Sequence, residues 1–198
     1  MWDDRFYLIG NPNNSIQRVT IGEQVTSIGD RAFADFTNLL EINLPDGITR
    51  IGMFAFAGCN SLTEIELPAS ITEIDVCAFR ESGITSITLP AGLTEISDAL
   101  FSQCTDLSSV QLPDTLICIS EDAFHTCSSL ESIIIPESVE NIGGNVFANC
   151  SSLVQIIFDG NKPKMEQNTI LESAVYYLHG KKRMVSNRRN NDLPIQWR

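Results

Sequence analysis

Apolar and polar positions recur along most of the chain in one repeating order. Leu62-Thr63-Glu64-Ile65-Glu66-Leu67-Pro68 is followed two residues later by Ile71-Thr72-Glu73-Ile74, and the same order returns from Leu39, Ile84, Leu107 and Leu130. An earlier copy begins at Ile16 and a partial one at Leu153. The starts at 16, 39, 62, 84, 107, 130 and 153 are 23 residues apart, except for one step of 22. The short step falls at Arg80-Glu81-Ser82-Gly83, where a loop residue is missing. A fixed period of this length identifies a stack of structural units and overrides local assignment.

The unit reads L-x-x-I-x-L-P-x-x-I-x-x-I-G-x-x-A-F-x-x-C-x-x. Its first stretch alternates apolar and polar, as in Ile65-Glu66-Leu67, and predicts a short strand. Pro45, Pro68, Pro90, Pro113 and Pro136 follow directly. Proline lacks the N–H that a strand ladder needs, so it marks where pairing stops. The second stretch, I-x-x-I, turns the chain back. Ala-Phe, as at Ala55-Phe56 and Ala123-Phe124, is expected to open a helical or 3₁₀ turn with the Phe filling the coil. No single coil buries its own apolar edge, but stacked coils cover one another. The expected architecture is a right-handed, β-rich solenoid of six full coils and the start of a seventh over residues 16–158. Residues 1–15, with Phe6-Tyr7-Leu8-Ile9, are expected to cap one end. Residues 159–198, with strands at 174–178 and Pro194-Ile195-Gln196-Trp197, are expected to cap the other.

The pattern I-G-x-x-A-F-x-x-C-x-x-L-x-x-I-x-L-P, intact from Ile51 to Pro68, resembles the BspA-type leucine-rich repeat. Three coils depart from it. Phe36 stands in the Cys place of the first, the third is expected to have lost its Cys with the deletion, and Leu100 replaces Ala before Phe101. The resemblance implies a recognition module of the microbial cell surface or secreted proteins, with host or extracellular-matrix proteins as the implied partners.

Charge narrows the partner. Residues 1–160 hold 22 Asp/Glu against 5 Lys/Arg, while residues 161–198 hold 3 against 8. An acidic body repels phosphate backbones, which excludes it as a nucleic-acid surface. The basic run Lys181-Lys182-Arg183 with Arg188-Arg189 lacks the interleaved aromatics of an RNA reader and is expected to be a solvated cap face, or failing that a dock for something acidic. No apolar run approaches 18 residues, so no helical membrane insertion is expected. Met1-Trp2-Asp3-Asp4-Arg5 is not the start of a signal peptide, which keeps a cytosolic scaffold open as an alternative.

Catalysis is disfavoured. His125 and His179 share no register with a nucleophile and an acid. Cys59, Cys104, Cys127 and Cys150 occupy one repeat position and are expected to be buried, reduced thiols. No C-x-x-C spacing suggests zinc, and no cofactor is implied. Thr26, Thr49, Thr72 and Thr94 form a ladder expected to serve the fold. The outward strand positions remain. One column runs Arg18, Glu41, Glu64, Ser86, Ser109, Ser132, Gln155, and the other Thr20, Asn43, Glu66, Thr88, Gln111, Ile134, Ile157. Binding is expected at Glu41, Glu64 and Glu66 or at Ile134 and Ile157. The carboxylates are a solvated acidic face in preference to a calcium site, and the C-terminal cap is the competing cover for the two isoleucines.

Overall fold

A computed structural model of the chain describes residues 5–6, 15–161, 163–166, 168–169, 175–178 and 181–185. Tyr7 to Ile9, His179, Arg188-Arg189 and Pro194 to Trp197 therefore lie outside the described residues. Each repeat closes one coil, and the coils stack in parallel with a register equal to the repeat: Arg18 lies beside Glu41, Ser86 beside Ser109, and Ser132 beside Gln155.

The first stretch of the repeat builds a front sheet from Arg18–Thr20, Glu41–Asn43, Ser86–Thr88, Ser109–Gln111, Ser132–Ile135 and Gln155–Phe158. The I-x-x-I stretch builds a back sheet from Ser27–Ile28, Arg50–Ile51, Glu73–Ile74, Glu95–Ile96, Cys118–Ile119 and Asn141–Ile142. Arg5–Phe6 pairs with the first back strand, and Lys164–Met165 with the last. Val175–Leu178 continues the front sheet in parallel, and Lys181–Val185 returns antiparallel beside it. Side chains alternate across each strand, so Ile42, Ile87, Ile133 and Ile156 turn into the core while their neighbours face out. The prolines do more than end strands. The carbonyls of Pro45, Pro68, Pro90, Pro113 and Pro136 each accept from the N–H three residues on, at 3.1 Å, closing the turn between the two sheets.

The front strand chosen above as typical is the exception. Glu64 to Glu66 are not paired as a strand, and the backbone of Glu64 to Leu67 makes no backbone hydrogen bond among the described residues. Glu64 stands next to Glu41 in the column, and like charges side by side disfavour pairing. The shortened loop is also in this coil. Its Gly83 donates to the Cys59 carbonyl at 3.0 Å. A Cβ on Gly83 would lie 2.0 Å from the Asn60 carbonyl oxygen, so only glycine fits.

The Ala-Phe turn is not the expected helix; no helix occurs among the described residues. Instead each coil places left-handed residues two before and two after its Phe, as at Arg31 (φ 58°) and Asp35 (φ 61°) around Phe33. Alternate N–H groups then go to different places. Those of Arg31, Phe33 and Asp35 donate to the Met53, Ala55 and Ala57 carbonyls of the next coil at 2.7–2.8 Å. Those of Ala32, Ala34 and Phe36 bond three residues back within the coil. A regular helix spends its N–H groups internally. This turn divides them and becomes a third ladder along the stack.

Inside it the six repeat phenylalanines form a continuous pile. Phe33, Phe56, Phe79, Phe101, Phe124 and Phe147 are fully buried, with centroids 5.3–5.7 Å apart and ring planes within 11° of parallel. The cysteine column runs alongside. The thiols of Cys59, Cys104, Cys127 and Cys150 donate to the Phe33, Phe79, Phe101 and Phe124 carbonyls of the preceding coil at 2.9–3.1 Å. All six cysteines are free, with Cys77 also buried and Cys118 half-buried. The third coil has not lost this position. Ser82, three residues after Phe79, fills it, is buried, and lies 3.4 Å from Cys104 Sγ. The missing residue falls just after it.

Candidate recognition surface

The front sheet presents its two outward columns over a nearly invariant core. Glu41 is already engaged: Arg18 Nε lies 3.3 Å from it, and Asn43 Nδ2 donates to it at 3.3 Å. Its oxygens are thus spoken for, and the three-carboxylate arrangement that calcium would require does not form; no cluster of three metal-capable side chains converges among the described residues. Glu64 and Glu66 are exposed and carry no ion pair among the described residues. Because their strand is unpaired, the surface dips on both sides of it. One depression, about 700 Å³, extends from Glu64 and Glu66 to Thr88 and Gln111; the other, about 440 Å³, reaches Glu41 and Arg18.

Further along the sheet the face becomes apolar. Ile134 is 51 % exposed. Ile157 stands beside it in register but is half-buried, because Val175–Leu178 pairs along its strand and places Tyr177 next in the column. The cap strand therefore shades one isoleucine and leaves the other open. Leu40 and Val154 are exposed at the start of their strands, at 49 % and 63 %.

The back sheet is structural in character. Thr49 and Thr72 Oγ1 donate to the Thr26 and Thr49 carbonyls of the preceding coil at 3.3 and 3.4 Å, as a threonine ladder should. Ile117 interrupts the series and is exposed. Sequence reasoning missed a charge cluster here. Arg50 reaches Asp30 at 3.4 Å, Glu73 at 3.6 Å and Asp75 more closely, tying three coils through one cation. The signal was present as a lone arginine with carboxylates 20, 23 and 25 positions away. Also missed was Arg31, whose guanidinium lies 4.4 Å from the Phe54 ring. His125 meets Thr126 Oγ1 and Asn149 Nδ2, neither of which is a nucleophile–acid pairing.

Burial pushes the thiols of Cys104 and Cys150 up to about 11 and that of Cys59 up to about 12, and raises Cys127 further in the same direction. Burial is the largest cause in each, so these sulfurs are protonated and unreactive, the opposite of a catalytic cysteine.

Parallel coils at a fixed period, a buried ladder at each corner and a variable outward sheet define a β-solenoid of the leucine-rich-repeat class, in general a recognition scaffold. The chain belongs to the BspA-type leucine-rich-repeat family, which residues 11–83 and 72–184 match in six copies. Among solved structures it is similar to a leucine rich cell surface protein of Faecalibacterium prausnitzii A2-165, at 36 % identity and a TM-score of 0.69 over 77 % of this chain. The chain spans 41 % of that protein's length. A leucine-rich repeat protein of Bacteroides ovatus shares the fold, at 24 % identity and a TM-score of 0.53, covering 87 % of this chain and 65 % of that one. No curated protein sequence matches the chain significantly.

Proposed function

We propose that the chain is a protein-recognition module that binds through the outward face of its front sheet rather than an enzyme. The observation that carries this reading is the contrast along the stack. Each coil repeats the same inward Leu, Ile and Phe, while the outward pairs change from Glu41/Asn43 through Glu64/Glu66 and Ser109/Gln111 to Ser132/Ile134. Variation confined to one exposed face of a rigid stack is what selective binding requires. Ile134 supplies an exposed apolar anchor, and Glu64 with Glu66 supply charge for steering. The surface description of the F. prausnitzii relative supports a place at the cell surface, with a host or matrix protein as the class of partner.

Two variants test the reading against a partner captured from an extracellular protein panel. Glu64→Lys with Glu66→Lys should slow association and reverse its salt dependence. Ile134→Asp with Ile157→Asp should speed dissociation by about tenfold or more, as for loss of an interface anchor. Both proteins should melt within a few degrees of the parent. A partner that binds both variants with the parent's rates would move the site off this face.

A further inference from the structure

The front sheet carries its charge and its apolar anchor in a definite order. Glu64 and Glu66 lie in the third coil, Ile134 in the sixth, and the last strand, Lys181–Val185, begins with Lys181, Lys182 and Arg183. Between the Glu64–Glu66 segment and that last strand lie Ser86–Thr88, Ser109–Gln111, Ser132–Ile135, Gln155–Phe158 and Val175–Leu178. The strand of Ile134 is the middle one of these five. With strands about 4.8 Å apart, the acidic and basic poles each lie roughly 14 Å from it.

The geometry points to a second copy of this chain as an occupant of the face, in an antiparallel, two-fold dimer whose axis runs along the Ser132–Ile135 strand. That rotation exchanges the two poles. Glu64 and Glu66 of each copy meet the Lys181–Arg183 strand of the other, and Ile134 meets its own symmetry mate. A two-fold interface requires such self-complementarity, with every contact made twice or on the axis. The poles do not neutralise each other within one chain, because roughly 29 Å separates them and the screening length is about 8 Å at physiological salt. The strands are short, so the face measures about 10 by 30 Å, well under the roughly 800 Å² per partner of a stable dimer. The association is therefore a weak equilibrium governed by salt.

This inference rests on the reading of the front sheet as the binding face, and its test separates the two. Sedimentation of the full chain should show dimer at about 0.01 M ionic strength and monomer at about 1 M, where screening falls from about 30 to about 3 Å. Glu64→Lys with Glu66→Lys should weaken the dimer by about tenfold or more, and so should Lys181→Glu, Lys182→Glu and Arg183→Glu together. One chain carrying both sets should dimerise to within about threefold of the parent, because both contacts are restored with their signs exchanged. Ile134→Cys in a Cys118→Ser background should oxidise to a covalent dimer at low salt and not at high salt. A chain that stays monomeric at low salt, a combined variant that stays as weak as its parents, or an Ile134→Cys that fails to cross-link overturns the dimer. If an unrelated partner is still lost on Ile134→Asp, the recognition face stands without it.

Discussion

Removing one ring from the phenylalanine pile should reveal both its weight and its one-dimensional character. Phe56 is fully buried, with Phe33 at 5.3 Å and 3° on one side and Phe79 at 5.4 Å and 7° on the other. Phe56→Ala withdraws about 100 Å² of ring surface from burial, about 2.5 kcal/mol at 25 cal/mol per Å². The cavity brings the cost to about 3–5 kcal/mol, because neighbours fixed by three ladders relax little. Each lost ring contact is worth about 0.5–1.5 kcal/mol beyond area, and Phe56 loses two of them, which places it at the upper end, about 5 kcal/mol. Phe147 has one ring neighbour among the described residues, Phe124 at 5.7 Å. Phe147→Ala should therefore cost about 1 kcal/mol less. Urea unfolding followed by circular dichroism measures both, and an unchanged slope shows that the stack still unfolds as one unit. The corresponding melting shift for Phe56→Ala is about 10–20 °C for a chain of this size. A loss below about 1 kcal/mol would refute burial of the ring. A cost for Phe147→Ala equal to that for Phe56→Ala would refute the contribution of ring-on-ring contacts.

The thiol column makes stability fall in alkali. Its members are held protonated in the fold above the ordinary value of 9.0, so their contribution is complete below pH 9 and is lost as pH rises toward about 11 for Cys104 and Cys150 and about 12 for Cys59. Each adds up to about 1.4 kcal/mol per pH unit in that window, and urea midpoints from pH 8 to 11 should show the decline; a flat profile would contradict buried thiols. Cys127→Ser should cost about 1 kcal/mol less than Cys127→Ala, because a hydroxyl keeps a donor for the Phe101 carbonyl, as Ser82 does for its own column; equal losses would deny that hydrogen bond a role. Gly83→Ala should destabilise by more than about 2 kcal/mol, since its Cβ meets backbone at 2.0 Å, whereas Gly22→Ala, with nothing within 4 Å, should be neutral or slightly stabilising. Equal melting temperatures for the two would remove the steric argument.

The period, the inward residues and the alternation of the strands were legible because burial repeats every 23 residues and leaves the same apolar letters each time. The shape of the Ala-Phe turn was not. Its left-handed positions carry Arg31, Phe54, Cys77, Ala99, Asp122 and Asn145, which share no side-chain property. Their conformation is imposed by N–H groups that must reach the next coil, a demand visible only once coils are stacked. Most of these residues enter the left-handed region at a cost of about 1–2 kcal/mol each. The ladder repays this, so local preference gives no warning. Ser82 was overlooked for a related reason. The gap in the repeat was charged to the cysteine, whereas the turn fixes its own length up to Phe79 plus three and drops its residue afterwards.

The recognition surface was legible as a list of positions but not as a set of states. Arg18 lies in the same column as Glu41, yet its consequence appears only when Nε is found 3.3 Å away, leaving Glu64 and Glu66 as the unpaired acids. Likewise Ile134 and Ile157 are equivalent in sequence, and the added strand Val175–Leu178 makes them unequal by shading the second. Both distinctions arise because a solenoid face is read along its length. Each outward residue takes its environment from the coils above and below, so the same letter has a different surface in the middle of the stack and beside its end. Within the apolar pair, the large effect should therefore belong to Ile134. Measured alone, Ile134→Asp should account for most of the change in dissociation seen with the double substitution, and Ile157→Asp for little of it. A larger effect from Ile157→Asp would mean that the partner displaces the terminal strand, and binding would then be weakened by any change that strengthens that strand's pairing.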